Sequence, residues 1–195
     1  MPRNLAFVAA LLLIQIGLFP NQLAAQSMTD AAMDIQAKLD AGDTAGALDT
    51  ARSVVAHVWD ASPGLGFTEA MLVAAPATGY GIFNPRETNI FKPGESIVLY
   101  AEPYGFAYGS DSEGIYSIGF HVDLQVLNQM GEVLGDVPDV TELNLISRRQ
   151  NREFQANITY DLSGLAPGQY RLVTTLRDKN SAKSGSFETE IEITE

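Results

Sequence analysis

Residues 100–109 read YAEPYGFAYG, and they lie in an unusually aromatic part of the chain. Nine of the seventeen aromatic residues fall between Tyr80 and Phe120. In extended backbone, successive side chains point to opposite sides, so Tyr104, Phe106 and Tyr108 share one side and Gly105, Ala107 and Gly109 the other. If Ile97, Leu99 and Ala101 face a core, Tyr100 and Glu102 point outward and the aromatic row follows them. Planar rings beside carboxylates suit sugar rings or a protein interface, because they bury much area for few rotatable bonds. The alternative is that Pro103 shifts the register and turns the row into core. Alternation alone does not choose between them.

A second stretch is SRRQNREF, residues 147–154, which places Arg148, Arg149 and Arg152 within five positions. Guanidinium groups so close together can clamp an anionic partner or a sugar acid, or can simply solvate a hairpin connection. The candidate ligand-binding residues are therefore Tyr100, Glu102, Tyr104, Phe106, Tyr108, Arg148, Arg149 and Arg152.

The residues for catalysis are scarcer. His57 and His121 are the two imidazoles, and neither stands in a nucleophile or zinc motif. His57 lies among Val54, Val55 and Val58, while His121 alternates with Phe120 and Val122. Both read as surface or edge histidines. A hydrolase using two carboxylates is conceivable among so many acids, but nothing singles out a pair. Asp111-Ser-Glu113-Gly114 offers oxygen ligands without the spacing of a calcium loop. The absence of cysteine removes thiol catalysis, thiolate zinc sites and iron–sulfur clusters. No catalytic residue, metal site or cofactor is expected.

The chain opens with Arg3, an apolar run over residues 5–19 and a small-residue exit at Leu23-Ala-Ala25. This reads as a signal peptide over residues 1–25, with cleavage near Ala25 or slipping to Ser27. The run is short for a membrane span of roughly twenty residues, so no stable anchor is expected after cleavage. The expected location is periplasmic or secreted. The whole chain carries a net charge of −12; without the leader, eleven Lys and Arg face twenty-four Asp and Glu, a charge of −13. So acidic a surface repels phosphate backbones, which argues against nucleic acid. An exported chain without disulfides must rely on its core, and about 170 residues suffice for one.

Two kinds of element must position these residues. Over residues 29–60, apolar positions recur at three and four, broken at Gly42-Asp43, which predicts a helical hairpin within residues 26–62. Asp43 or Thr44 can cap its second helix, and Ser62-Pro63-Gly64 stops it. From residue 66 to 195 the period becomes two. Strands are predicted over 67–75, 97–102, 116–126, 132–134, 143–147 and 153–161, followed by a last pair within the opening and closing residues of 164–193. In the third, Ile118, Phe120, Val122, Leu124 and Val126 share a face. In the last pair, Leu172, Thr174 and Leu176 are matched by Phe187, Thr189, Ile191 and Ile193. The fold class is mainly β, an antiparallel sandwich behind a helical hairpin.

Leu165-Ala-Pro-Gly168-Gln-Tyr170 resembles the tyrosine corner of immunoglobulin-like and fibronectin type III-like domains, which exported bacterial proteins carry. The resemblance covers residues 66–195 and implies a sandwich in which Tyr170 bonds back to the preceding turn. The missing cysteine pair, and a lone Trp59 in the helical part, depart from antibody domains. AKLDAGDTAGALDTAR, residues 37–52, resembles the turn of a tetratricopeptide-like helix pair; with one unit present, the peptide binding of repeat arrays does not carry over. Together these imply a non-catalytic interaction module of the cell envelope, binding a protein or another envelope component. A carbohydrate-binding module using the aromatic row is the alternative, and a hydrolase a more distant one.

Overall fold

The structure, a computed structural model, describes residues 20–195, with side chains from residue 28. The apolar run of the expected leader lies outside the described residues. Among those described, no helix is long and apolar enough to cross a membrane. The chain divides into two compact units at Ala56/His57.

The first unit is a helical hairpin of α1 (Pro20–Asp40) and most of α2 (Thr44–Asp60). Asp43 is the cap, its carboxylate accepting the Gly46 N–H at 2.9 Å. The two helices are joined by polar contacts: Lys38 reaches Asp34 at 2.6 Å and Thr50 at 2.8 Å, and Thr50 donates to Asp34 at 2.8 Å. The Lys38 ammonium and the Thr50 hydroxyl hold the Asp34 carboxyl below its ordinary range. Ala47 is buried, whereas Met33, Leu39, Leu48 and Val55 are exposed.

The second unit is built from nine strands in two sheets. One sheet holds β1 (Gly66–Leu72), β3 (Ile97–Tyr104) and β7 (Ala156–Tyr160), in the order β1-β3-β7. The other holds β2 (Ile90–Phe91), β4 (Gly109–Ser112), β5 (Ile115–Asn128), β6 (Val133–Ser147), β8 (Gly168–Asp178) and β9 (Ser184–Ile193). Its order is β2-β9-β8-β5-β4, with β6 on the other edge of β5. All pairings are antiparallel except β2 with β9. The core is what alternation demands: Ile97, Leu99 and Ala101 of β3 and Ile158 of β7 meet Phe120, Val122 and Leu124 of β5, Leu172 and Leu176 of β8 and Ile191 of β9. The fold is mainly β, with two sheets facing each other across one core.

Two expectations about the strands are corrected. The strands expected over 132–134 and 143–147 belong to a single fifteen-residue strand, β6, which begins at Val133. It is interrupted in register, not in course: Val122 pairs with Thr141 and Leu124 with Val137, so Pro138, Asp139 and Val140 oppose Asp123 alone. Pro138 lacks an N–H, which an edge strand tolerates at a bulge. Asp139 takes a left-handed φ of 52°, with its N–H on Asp123 Oδ1 at 2.8 Å. The short strands β2 and β4, with too few residues to show a period, were not anticipated.

Tyr170 sits at the start of β8, and its hydroxyl donates to the Ala166 carbonyl at 2.7 Å. Tyr170→Phe removes that bond and should cost about 1 kcal/mol, read as a lower urea midpoint. An unchanged midpoint would show that the bond stabilises nothing.

Candidate functional site

The face of β3 opposite the core is not open. Tyr100 and Glu102, expected to point into solvent, are buried. The segment between β1 and β2 folds over them, forming a second small core of Val73, Ala77 and Tyr100 with Met71, Phe83 and Val98. The Asn157 side chain holds that segment at Ala77, donating to its carbonyl at 2.9 Å and accepting its N–H at 2.8 Å. Tyr100 donates to Glu102 Oε1 at 2.6 Å and accepts the Gly81 N–H at 2.8 Å. Burial, with the Glu102 carboxylate beside it, pushes the Tyr100 phenol up to about 12. Tyr100 and Glu102 thus fasten a loop and are withdrawn from any binding surface.

The aromatic row also breaks. Pro103 stays in β3 opposite Phe67, and Tyr104 is opposite Gly66; the pairing slips by one residue just before them, where Thr68 and Glu69 of β1 oppose Glu102. The break comes at Gly105, which turns with φ +84°. A Cβ there would lie 2.8 Å from the Gly64 carbonyl and from Ser62 Oγ, so the chain needs glycine at this step. Beyond the turn, Phe106 drops into the core and is 1% exposed. It packs edge-on against Trp59 at 4.9 Å, Tyr108 and Phe120 at 5.6 Å each, and Phe154 at 6.2 Å between ring centres. Tyr108 is half-buried and donates to the Asn151 carbonyl at 2.9 Å; burial pushes its phenol up. Tyr104 alone of the row is exposed, at 44%.

Tyr104 nevertheless has a fixed seat. A Cβ on Gly66 would stand 2.2 Å from Tyr104 Cζ, so the ring lies directly across the glycine backbone. Its edge meets Trp59 with centres 6.5 Å apart and planes at 62°. Trp59 in turn donates its Nε1–H to the Phe106 carbonyl at 2.8 Å. Sequence reasoning missed Trp59 as a site residue. The signal was its place at the end of an apolar helix, next to a Ser-Pro-Gly stop.

The arginine stretch meets this cluster. Phe154 is buried and Tyr108 holds Asn151, so the loop between β6 and β7 is tied to the aromatic residues at both places. The Arg152 guanidinium stands 5.9 Å from the centre of the Trp59 ring. Its Nε is buried without a hydrogen-bond partner. Arg148 and Arg149 are exposed on the same loop. Among the described residues, Arg86, Arg171, Arg177, Lys38 and Lys179 each pair with an acid, and none of these three arginines does. In a chain with twice as many acids as bases, three unpaired arginines on one loop are a local inversion of charge.

A second charged cluster lies on the larger sheet. On the outer face of β5, β6 and β8, Arg177 bonds Asp123 at 2.7 Å and Asp139 at 2.7 Å, and Lys179 bonds Glu142. His121 faces Asp139 at 2.9 Å and Glu142 at 3.5 Å. The neighbouring Arg177 and Lys179 hold the Asp123 and Glu142 carboxyls low. These contacts stitch three strands together. His57 is exposed on α2; Asp111 and Ser112 end β4, and Glu113 and Gly114 make the turn to β5, all four exposed. Among the described residues, no three His, Asp or Glu side chains are placed to hold a metal ion.

The site assembled is thus Trp59, Tyr104, Tyr108 and Arg152, flanked by Arg148 and Arg149, at one end of the second unit. No known family model matches this chain, and no curated protein sequence is similar to it.

Proposed function

We propose that the chain is an exported interaction module of the bacterial cell envelope, periplasmic or secreted, whose immunoglobulin-like sandwich binds a protein partner without catalysis. The surface for it is the Trp59–Tyr104–Arg152 end. The strand order β1-β3-β7 against β6-β5-β8-β9, with a corner tyrosine opening β8, supports the immunoglobulin-like reading.

The observation that carries the function is the meeting of an exposed tyrosine, a tryptophan and three unpaired arginines on an otherwise acidic chain. Trp, Tyr and Arg dominate the energetic centres of protein interfaces. Arginine without an intramolecular acid is free to donate two parallel N–H bonds to a partner's carboxylate. The carbohydrate reading is less well supported, because the Tyr104 and Trp59 planes, at 62°, give no flat platform for a sugar ring.

The test is recovery of partners from an envelope extract by three proteins: the unaltered chain, Tyr104→Ser with Arg149→Glu, and Gly66→Ala. The last leaves every site side chain present but unseats the Tyr104 ring. Both variants should keep their melting temperature and lose the proteins that the unaltered chain recovers. An identical set of recovered proteins from all three would overturn the assignment of this surface.

A further inference from the structure

At the opposite end of β8 from the arginine loop lies a polar cleft of about 220 Å³, lined by Asn89, Asn128, Gln129, Gln169, Arg171 and Glu190. We propose that this cleft binds a neutral sugar, one ring of an oligosaccharide, independently of the protein-binding end.

The lining is balanced in charge, with one arginine and one glutamate, and the Arg171 guanidinium already faces Glu188 at 3.4 Å. An anionic ligand therefore meets a guanidinium that is already occupied, and among the described residues Glu190 is the one charge of the lining left without an ion pair. What the cleft does offer is carboxamides, and a carboxamide carries a donor and an acceptor side by side, as neighbouring sugar hydroxyls do. Gln129 donates to Gln169 Oε1, and Gln169 donates on to Glu192 at 3.3 Å. This chain sets the orientation of both amides and leaves Gln129 Oε1 as an acceptor. Asn89 donates one amide hydrogen to the Glu190 carbonyl at 3.3 Å, which leaves its second hydrogen and its oxygen open. Arg171 Nε is buried and has no partner, a donor awaiting an acceptor.

The wall is preset as well. Tyr170 lines the cleft, and its hydroxyl is held by Ala166. A second hollow of about 390 Å³ adjoins the cleft, sharing Asn128, Gln129, Gln169 and Tyr170 and adding Met130 and Leu134. Those two side chains are 80% and 55% exposed. An apolar lip beside a polar cleft suits a chain of sugars, whose rings have C–H faces and hydroxyl rims. The ligand is thus an oligosaccharide with one unit in the cleft and the next on the lip.

The experiment titrates the isotopically labelled protein with cellobiose, maltose and di-N-acetylchitobiose, using galacturonate and glucosamine as charged controls. Amide spectra report the position. At least one neutral disaccharide should give saturable shifts centred on the side-chain amides of Asn89, Gln129 and Gln169. Gln169→Ala, and separately Asn89→Leu, should each weaken that binding about tenfold, as loss of a hydrogen bond or two requires, with an unchanged melting temperature. Saturable shifts centred on Trp59 and Tyr104 would overturn the proposal, as would shifts indifferent to both substitutions. So would binding of the charged sugars alone, or no saturable shift from any neutral probe. Failure here leaves the arginine-loop surface untouched, because the two sites share no residue.

Discussion

Phe106→Ala should lower the unfolding free energy by about 3–5 kcal/mol, the cost of truncating a fully buried aromatic side chain. Four rings meet Phe106, and they belong to α2, to the segment just after Gly105, to β5 and to the residues before β7. Removing the ring leaves a void that none of them can close without abandoning another contact. Trp59 is the chain's single tryptophan and touches Phe106 at 4.9 Å, so its fluorescence reports the loss directly. Tyr104→Ser, two residues away, should cost less than about 1 kcal/mol, as exposed positions do. Urea denaturation of the two variants side by side measures the contrast. Equal losses would mean that Tyr104 is packed as core, and would remove it from the binding surface.

The second large effect is expected in alkali. Burial pushes two phenols up to about 12: Tyr100, under the loop beside Glu102, and Tyr160, in the main core. Tyr160 is hydroxyl to hydroxyl with Thr174 at 2.9 Å, a pair enclosed between the sheets. An unfolded tyrosine ionises near 10. The folded state therefore prefers the protonated phenol, and the unfolded state gives up its proton first. The stabilisation from each tyrosine is complete below about pH 10 and lost as the pH rises to about 12. The gap between the folded and unfolded values corresponds to about 2–3 kcal/mol for each residue, so the pair removes about 5 kcal/mol across that window. Urea midpoints from about pH 8 to about pH 11.5 should fall steeply above pH 10. Tyr100→Phe should start lower, having lost its bonds to Glu102 and Gly81, and fall about half as steeply. A midpoint flat to about pH 11.5 would show that water reaches both phenols.

The parts of this architecture that could be read from sequence are those where a face repeats. Ile118 to Val126 and Leu172 to Leu176 alternate without interruption, and they are the middle of the larger sheet. Tyr170 was legible because a local turn, Leu165 to Gly168, fixes its partner only four residues back. Tyr100 and Glu102 were misread for a reason that alternation cannot repair. It tells which side of a strand a residue occupies, but not what covers that side. The cover is residues 73–87, which have no regular period and are held by single contacts such as Asn157 to Ala77. The row was misread at Gly105, where one left-handed residue sends Phe106 inward and leaves Tyr104 outside. Arg148, Arg149 and Arg152 were visible as a cluster. Their lack of acidic neighbours was not, because it depends on where every other carboxylate lies.

The irregularity in β6 bears on colloidal behaviour. β6 pairs only with β5, so its far edge presents unclaimed N–H and C=O groups beside the exposed Val133, Leu134, Val137, Val140 and Ile146. A straight edge of fifteen residues with such side chains would template a copy of itself, and polymers of the sheet would follow. Pro138 and the left-handed Asp139 divide that edge into two short runs that cannot both align with one incoming strand. Arg177 grips the Asp139 carboxylate at 2.7 Å from across β5, with His121 of β5 beside it at 2.9 Å, so straightening the kink would break the Arg177 ion pair. The bulge at Pro138 and Asp139 is thus the kind of edge irregularity that works against sideways pairing with a second copy.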